Sequence, residues 1–414
     1  MQVAAHTPAL GDSRVAGLRV VRGSLLWQAL GAVLCFALPF GLLLLQRPTA
    51  PSFAAWERVD SFPGDRMVRR VVVRGTEDGQ VLYATGTVSG VHMSTNGGRD
   101  WLRADMPLPH NRLGVVQIVD LAVNPDDPNE IYAVVAAMAT KPRPMVYWSD
   151  NGGRTWRVRG GLGPRRVTGM AFGPTGDDLY MATTGGIFRA FVFDDGQRRF
   201  VGDEDDLRRA QVGSLDGPAR VTALAIGAPS MAERAGAQAA PTRSDEIRPS
   251  LVLYVGTADR GLEVFVDDPV DGPQSVPVGN EPLSLYVRER AAIHTVCIHP
   301  LSPEIVCVGT DRGIWASSDA GRSWFRTAYD LRSHKVLSLL IDPSDAALYA
   351  GVAGGGVFCS KDDAATWQSL GKGLARTSVL SLAIGGSGDR TLYAGTNSGL
   401  WRLLLPTVAS AAAE

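Results

Sequence analysis

The chain carries almost no net charge. Its 41 Lys and Arg stand against 42 Asp and Glu, which leaves −1 at pH 7. That balance excludes bulk attraction to nucleic acid or anionic lipid, so any recognition by charge must come from local patches. Cysteine is scarce, at positions 35, 297, 307 and 359 only. With no CxxC pair and no Cys/His cluster at zinc spacing, neither a disulfide scaffold nor a zinc module is supported. The GxSxG, Walker A and HExxH signatures of serine hydrolases, P-loop nucleotidases and zincins are all missing. Of six histidines, His299 fills a turn position, and His92 and His294 lie in or beside predicted strands, which argues against ligand roles. The acidic run Asp203 to Asp206 lacks calcium-loop spacing and reads as a solvated loop. No metal and no cofactor is expected.

Apolar residues and glycine are plentiful. Hydrophobic residues make up 45% of the 414, enough for a large core, and 47 glycines point to many tight turns. One long uncharged run, Ser24 to Leu45, has 22 residues. As a helix it spans about 33 Å, against a hydrocarbon core of about 30 Å. Arg14, Arg19 and Arg22 precede it, opposed only by Asp12. The positive flank predicts a cytoplasmic N-terminus and an exported remainder. The rival reading is a cleaved signal peptide with a small-residue site at Ser52-Phe53-Ala54. The run exceeds the usual h-region, which favours an uncleaved anchor. The resulting segments are 1–23 cytoplasmic, 24–45 membrane helix, 46–52 linker, 53–405 folded domain and 406–414 disordered tail.

One pattern recurs seven times within 53–405. Each copy opens with an apolar triplet: Val71 to Val73, Leu121 to Val123, Met170 to Phe172, Leu224 to Ile226, Val296 to Ile298, Leu339 to Ile341 and Leu382 to Ile384. A second strand carries tyrosine at a fixed place, Tyr83, Tyr132, Tyr180, Tyr254, Tyr349 and Tyr393, with Cys307 as the single substitute. A glycine turn then opens a third strand, as at Gly90-Val91 and Gly313-Ile314. Four short strands per repeat of about 40–50 residues is the signature of propeller blades. The last copy stops after its third strand, Trp401 to Leu404. The segment Ala55 to Val59 looks like its missing fourth strand. The expectation is an all-β, seven-bladed β-propeller whose N-terminal strand closes the last blade, preceded by one transmembrane helix. The stretch 229–250 has no strand or helix period and reads as a flexible insertion.

Four copies add a turn motif. It is built on Ser94, Asn96 and Trp101, then Ser149, Asn151 and Trp156, then Ser317, Asp319 and Trp324, and more weakly Ser360, Asp362 and Trp367. The Asp or Asn side chain is expected to accept N–H bonds within its own turn, and the Trp to pack on the sheet. Copies three and four lack the motif and use the turns Asp194 to Gln197 and Asp267 to Pro273 instead. The pattern S-x-D-x-G-x-T-W resembles the Asp-box, or BNR, repeat. Over Phe53 to Leu405 the chain resembles the photosystem II stability/assembly factor-like family. That resemblance implies an exported single propeller with a basic face and a role in assembling membrane complexes. Sialidase and sortilin-type propellers share the repeat more distantly.

In such propellers the loops before each first strand share a face with the loops between second and third strands. Basic residues recur there: Arg70, Arg112, Arg166, Arg220, Arg290, Arg312, Lys335 and Arg376. Arginine suits carboxylate or phosphate recognition through its planar fork. A solvated, partly offset set of loop arginines is the plainer reading. The leading expectation is a non-catalytic scaffold on the extracytoplasmic side, at the cell surface or in the periplasm. It would bind an acidic protein segment or a membrane complex, and no nucleic acid. The alternative is a sialidase-like glycoside hydrolase or a carbohydrate-binding propeller. Its candidate residues would be Tyr286, Tyr329 and Glu281, although the Arg-Ile-Pro segment of sialidases is missing. Finally, Cys297 and Cys307 are expected to be cross-strand neighbours, with two free thiols favoured over a bridge.

Overall fold

The computed structural model describes residues 55–63, 67–76, 79–86, 90–104, 117–136, 145–160, 167–192, 198–199, 211–215, 220–228, 250–269, 272–276, 292–327, 331–386 and 390–406. The segments proposed as cytoplasmic, membrane-spanning, linker, flexible insertion and tail lie wholly or largely outside them. Among the described residues no helix is long and apolar enough to cross a membrane. The chain divides into two units, and every described residue belongs to the second, Phe53–Glu414.

That unit contains seven four-stranded antiparallel sheets, each a meander from an inner to an outer strand. Blade 1 runs Val68–Thr76, Gly79–Gly86, Val91–Ser94, Leu102–Arg103, and blade 2 runs Ile118–Val123, Ile131–Val135, Met145–Ser149, Arg157–Gly160. The inner strands of blades 3 to 7 are Val167–Phe172, Val221–Gly227, Ile293–Ile298, Val336–Ile341 and Val379–Gly385. Each apolar triplet of the repeat falls in an inner strand, and each fixed tyrosine, with Cys307, falls in a second strand. The second strands are buried nearly throughout, as in Ile131–Val135 and Leu251–Thr257, because a blade is covered on both faces by its neighbours. The short outer strands Leu102–Arg103 and Gln368–Ser369 are exposed.

The core is divided among the junctions between blades. Seven hydrophobic clusters each mix residues of two adjacent blades. One joins Tyr83 and Met93 of blade 1 to Ile118 and Trp156 of blade 2. Another closes the ring by joining Ala383 and Tyr393 of blade 7 to Val68 and Leu82 of blade 1.

Closure comes from the N-terminal strand. Glu57–Arg58 pairs antiparallel with Gly399–Leu404, so the fourth strand of blade 7 is supplied from the other end of the domain. Trp56 is buried and donates from Nε1 to the Leu370 carbonyl at 3.0 Å. Arg402 and Glu57 add an exposed ion pair at 3.1 Å. Joining first and last strands in one sheet removes an open edge and makes the ring a single cooperative object.

Blade 3 departs from the simple repeat. After the third strand, Gly186–Arg189, the chain forms a separate hairpin of Phe191–Val192 and Arg198–Arg199. The blade's fourth strand is Gln211–Gly213. Asp194 to Gln197, expected as the blade's turn, lie outside the described residues, and the strands on either side of them in sequence pair with each other and not with the blade. Propensity does not show which of two short strands joins the ladder; the packing of Val212 and Leu215 against blade 4 decides it.

Every inner strand also carries a β-bulge near its start. The register shifts at Val68/Arg70, Ile118/Asp120, Val167/Gly169, Val221/Ala223, Ile293/Thr295, Val336/Ser338 and Val379/Ser381. A bulge bends its strand, increases local twist and frees a backbone N–H from the ladder. Here it does so at the same level of all seven blades, at one mouth of the central channel.

Candidate functional site: loop face and central channel

The four repeated turns are bonded internally. Ser94 Oγ accepts from Gly98 N at 2.9 Å and donates to Asn96 Oδ1 at 3.0 Å, and Asn96 Oδ1 accepts from Asp100 N at 2.9 Å. Ser149 and Asn151 repeat this, with Asn151 Oδ1 accepting from Thr155 N at 2.9 Å. Asp319 takes both the N–H and the hydroxyl of Ser323, and Asp362 takes both from Thr366. Burial alone would raise the Asp319 carboxyl, but its bonds to Ser323 and Ser317 outweigh this and hold it below the usual range. Trp101, Trp156 and Trp324 each donate from the indole N–H to a glycine carbonyl of the same turn. These side chains are occupied in holding turns, which leaves them little capacity for chemistry on a ligand.

A fixed tyrosine fastens three of the four turns to the preceding blade. Tyr83 donates to the Gly152 carbonyl at 3.1 Å, Tyr254 to Ala320 at 2.9 Å and Tyr393 to Gly97 at 3.4 Å. Blade 4 lacks the repeated turn, and there Tyr180 donates to Asp267 Oδ2 at 2.6 Å, with Arg189 at 3.0 Å on the same oxygen. Cys307, the exception, faces the junction where Ala364 replaces the glycine of the next turn, and both are buried in one cluster. Losing the phenol and gaining a Cβ thus occur at the same interface. Cys297 and Cys307 are direct cross-strand partners, and the described cysteines are free thiols. A mutual hydrogen bond and burial push the Cys297 thiol well up.

At the bulged mouth, side chains reach from blade to blade. Asp120 Oδ2 accepts from Met170 N at 2.9 Å, Thr295 Oγ1 from Leu339 N at 3.3 Å and Ser381 Oγ from Val71 N at 3.1 Å. In each case the residue after the bulge satisfies an N–H on the inner strand of the next blade, which as the edge of its sheet has no strand on its channel side. Sequence reasoning missed these residues. The available signal was a polar residue directly before the apolar triplet: Asp120, Thr295 and Ser381, with Ser338 in the same place but without a hydrogen-bond partner for its hydroxyl among the described residues.

The basic residues of this face divide into groups. Arg70 Nε pairs with Asp120 Oδ1 at 3.1 Å. Lys335 Nζ lies 3.1 Å from Asp311 Oδ1, which also meets His294 Nε2 at 2.7 Å. Burial pushes the His294 imidazole below its ordinary value; the Asp311 bond opposes this, while Lys335 and Arg220 reinforce it. Arg220, Arg312 and Arg376 are exposed. Arg112, Arg166 and Arg290 lie outside the described residues, as do Tyr286, Tyr329 and Glu281. Between the inner strands runs a central cavity of about 690 Å³, lined by all seven blades. Among the described residues no group of three or more His, Cys, Asp or Glu could hold a metal.

Fold and site together define a closed, seven-bladed all-β propeller with a polar, partly basic channel mouth. No family model and no curated protein matches the chain. Its fold is shared with YCF48 structures. One of YCF48 bound to D1 peptide aligns at TM-score 0.55 and 15% identity, covering 86% of this chain and 99% of that one. YCF48 from Cyanidioschyzon merolae aligns at TM-score 0.53 and 16% identity, covering 84% and 99%. The extracellular domain of a B. thetaiotaomicron protein assigned as a one-component system aligns at TM-score 0.55 and 13% identity, covering 86% of this chain and 41% of that one.

Proposed function

We propose that this chain is a membrane-anchored, extracytoplasmic scaffold that docks an acidic protein segment on its loop face. The observation that carries the reading is the state of the side chains. The Ser and Asp or Asn side chains of the repeated turns are engaged in structure, while Arg220 and Arg376 stand exposed on the loop face with no carboxylate partner among the described residues. Exposed, unpaired guanidinium groups gain charge-assisted bonds when a carboxylate arrives. The likeness in fold to a YCF48 propeller bound to a peptide supports a peptide-binding role. Arg112, Arg166 and Arg290 would extend the surface from the remaining loops. The run Ser24 to Leu45 would anchor the propeller and confine its search to a membrane surface.

The test is a crosslinked pull-down from native membranes, run beside a variant with Arg166, Arg220, Arg290 and Arg376 changed to Glu. A discrete partner set lost in an equally folded variant supports docking on the loop face. An unchanged set moves docking to the face of the repeated turns. Protease protection in sealed vesicles checks the topology: the propeller should be digested only from the extracytoplasmic side.

A further inference from the structure

The central cavity holds an arginine that the rest of the fold does not use. Its titratable lining residues are Arg69, Arg70, Arg74, Asp120 and His294. Asp120 is taken, by Arg70 on one oxygen and by Met170 N on the other. His294 is taken by Asp311. Arg74, on the inner strand of blade 1, has no carboxylate partner among the described residues, and its Nε is buried without a hydrogen bond. Burial and the nearby positive charge of Arg70 both push its pKa down.

Asp120 is the one carboxylate among the described lining residues, and both its oxygens are engaged. The corresponding positions of the other six blades, Asn124, Gly173, Gly227, His299, Asp342 and Gly385, do not line the cavity, so Arg74 alone reaches into it from that position. Asp342 is held in a buried ion pair with Arg390, which Asp345 joins at 2.9 Å. The other walls include Leu224, Val296, Leu340 and Ile384. A guanidinium held partly out of water attracts an anion more strongly than one in open water, and its fork matches a planar or tetrahedral oxyanion.

We propose that the central channel is an oxyanion site anchored by Arg74, open to a carboxylate or phosphate group carried by a small molecule or by the end of a peptide chain. The site lies inside the channel whose mouth the loop face surrounds, and it stands whether or not that face binds a protein.

The experiment titrates the purified full-length chain in detergent with inorganic phosphate, replacing chloride at constant ionic strength, and follows the thermal midpoint. Wild type should show a saturable rise. Arg74→Gln should bind about ten- to a hundredfold more weakly, the loss expected for charge-assisted bonds. Without phosphate it should melt no lower than wild type, because an unpaired buried charge has been removed. Arg74→Lys, which keeps charge without the fork, should retain a weakened rise, and Arg376→Gln on the loop face should retain all of it. Tetra-alanine with a free and with an amidated C-terminus forms the second arm. A response to phosphate alone assigns a small free anion; a response to the free-acid peptide and not to the amide assigns a chain terminus. A wild type indifferent to both probes, or an Arg74→Gln variant that responds as wild type does, overturns the proposal.

Discussion

Replacing Tyr83, Tyr180, Tyr254 and Tyr393 by Phe one at a time should produce a graded loss of stability, because each substitution keeps the ring and removes a single interblade hydroxyl. Tyr180 donates at 2.6 Å to Asp267, whose side chain is only 4% exposed. Removing a bond to a buried carboxylate should cost about 2–3 kcal/mol. Tyr254 donates at 2.9 Å and Tyr83 at 3.1 Å to neutral carbonyls, so each should cost about 1 kcal/mol. Tyr393 donates at 3.4 Å, long enough that only a few tenths of a kcal/mol are expected. The assay is urea unfolding of the full-length chain. Midpoints should shift in the order Tyr180, then Tyr254 and Tyr83, then Tyr393, with unchanged slope. Equal shifts at all four sites, or Tyr393→Phe costing as much as Tyr180→Phe, would refute the view that these phenols latch each blade to the next.

Trp56→Ala should cost about 3–5 kcal/mol, because it empties a buried indole site and loosens the strand that closes the ring; faster amide exchange in Gly399–Leu404 would locate the damage. Burial, opposed by Arg154, raises the Tyr83 phenol to about 12 from its ordinary 10.0. The neutral phenol is the form the folded state favours. Its contribution is therefore complete below about pH 10 and is lost as pH rises toward about 12, and Tyr83→Phe should remove that part of the alkaline loss in pH-dependent unfolding. Thiol reagents should find four reactive cysteines in the unfolded chain. In the folded chain Cys297, Cys307 and Cys359 should react slowly, since burial raises the Cys359 thiol to about 11 and its contact with Cys307 raises that of Cys297.

Much of the architecture was legible because propeller repeats are local. Apolar triplet, fixed tyrosine and glycine turn each report one strand, and their sevenfold recurrence reports the blade count. The strand at Glu57–Arg58 was readable because Trp56 stands where Trp156 stands in blade 2. Blade 3 was less readable: Phe191–Val192 and Gln211–Gly213 are both short and apolar enough to serve as a fourth strand, and contact with blade 4 chooses between them. The candidate site was legible only as composition. A count of loop arginines says nothing of Asp120 beside Arg70 or of Asp311 beside Lys335, since these partners come from neighbouring blades or adjoining strands.

By itself, then, the sequence determined which segments become strands and how many blades they build, because strand, turn and repeat are set by residues within a few positions of one another. Only the tertiary structure decided which charges are spent and which are left over. Arg390 holds Asp342, Arg70 holds Asp120, and Arg74 is left facing the channel without a carboxylate partner among the described residues. Ion pairing depends on distances of 3–4 Å between residues tens to hundreds of positions apart, and those distances exist only once the ring has closed.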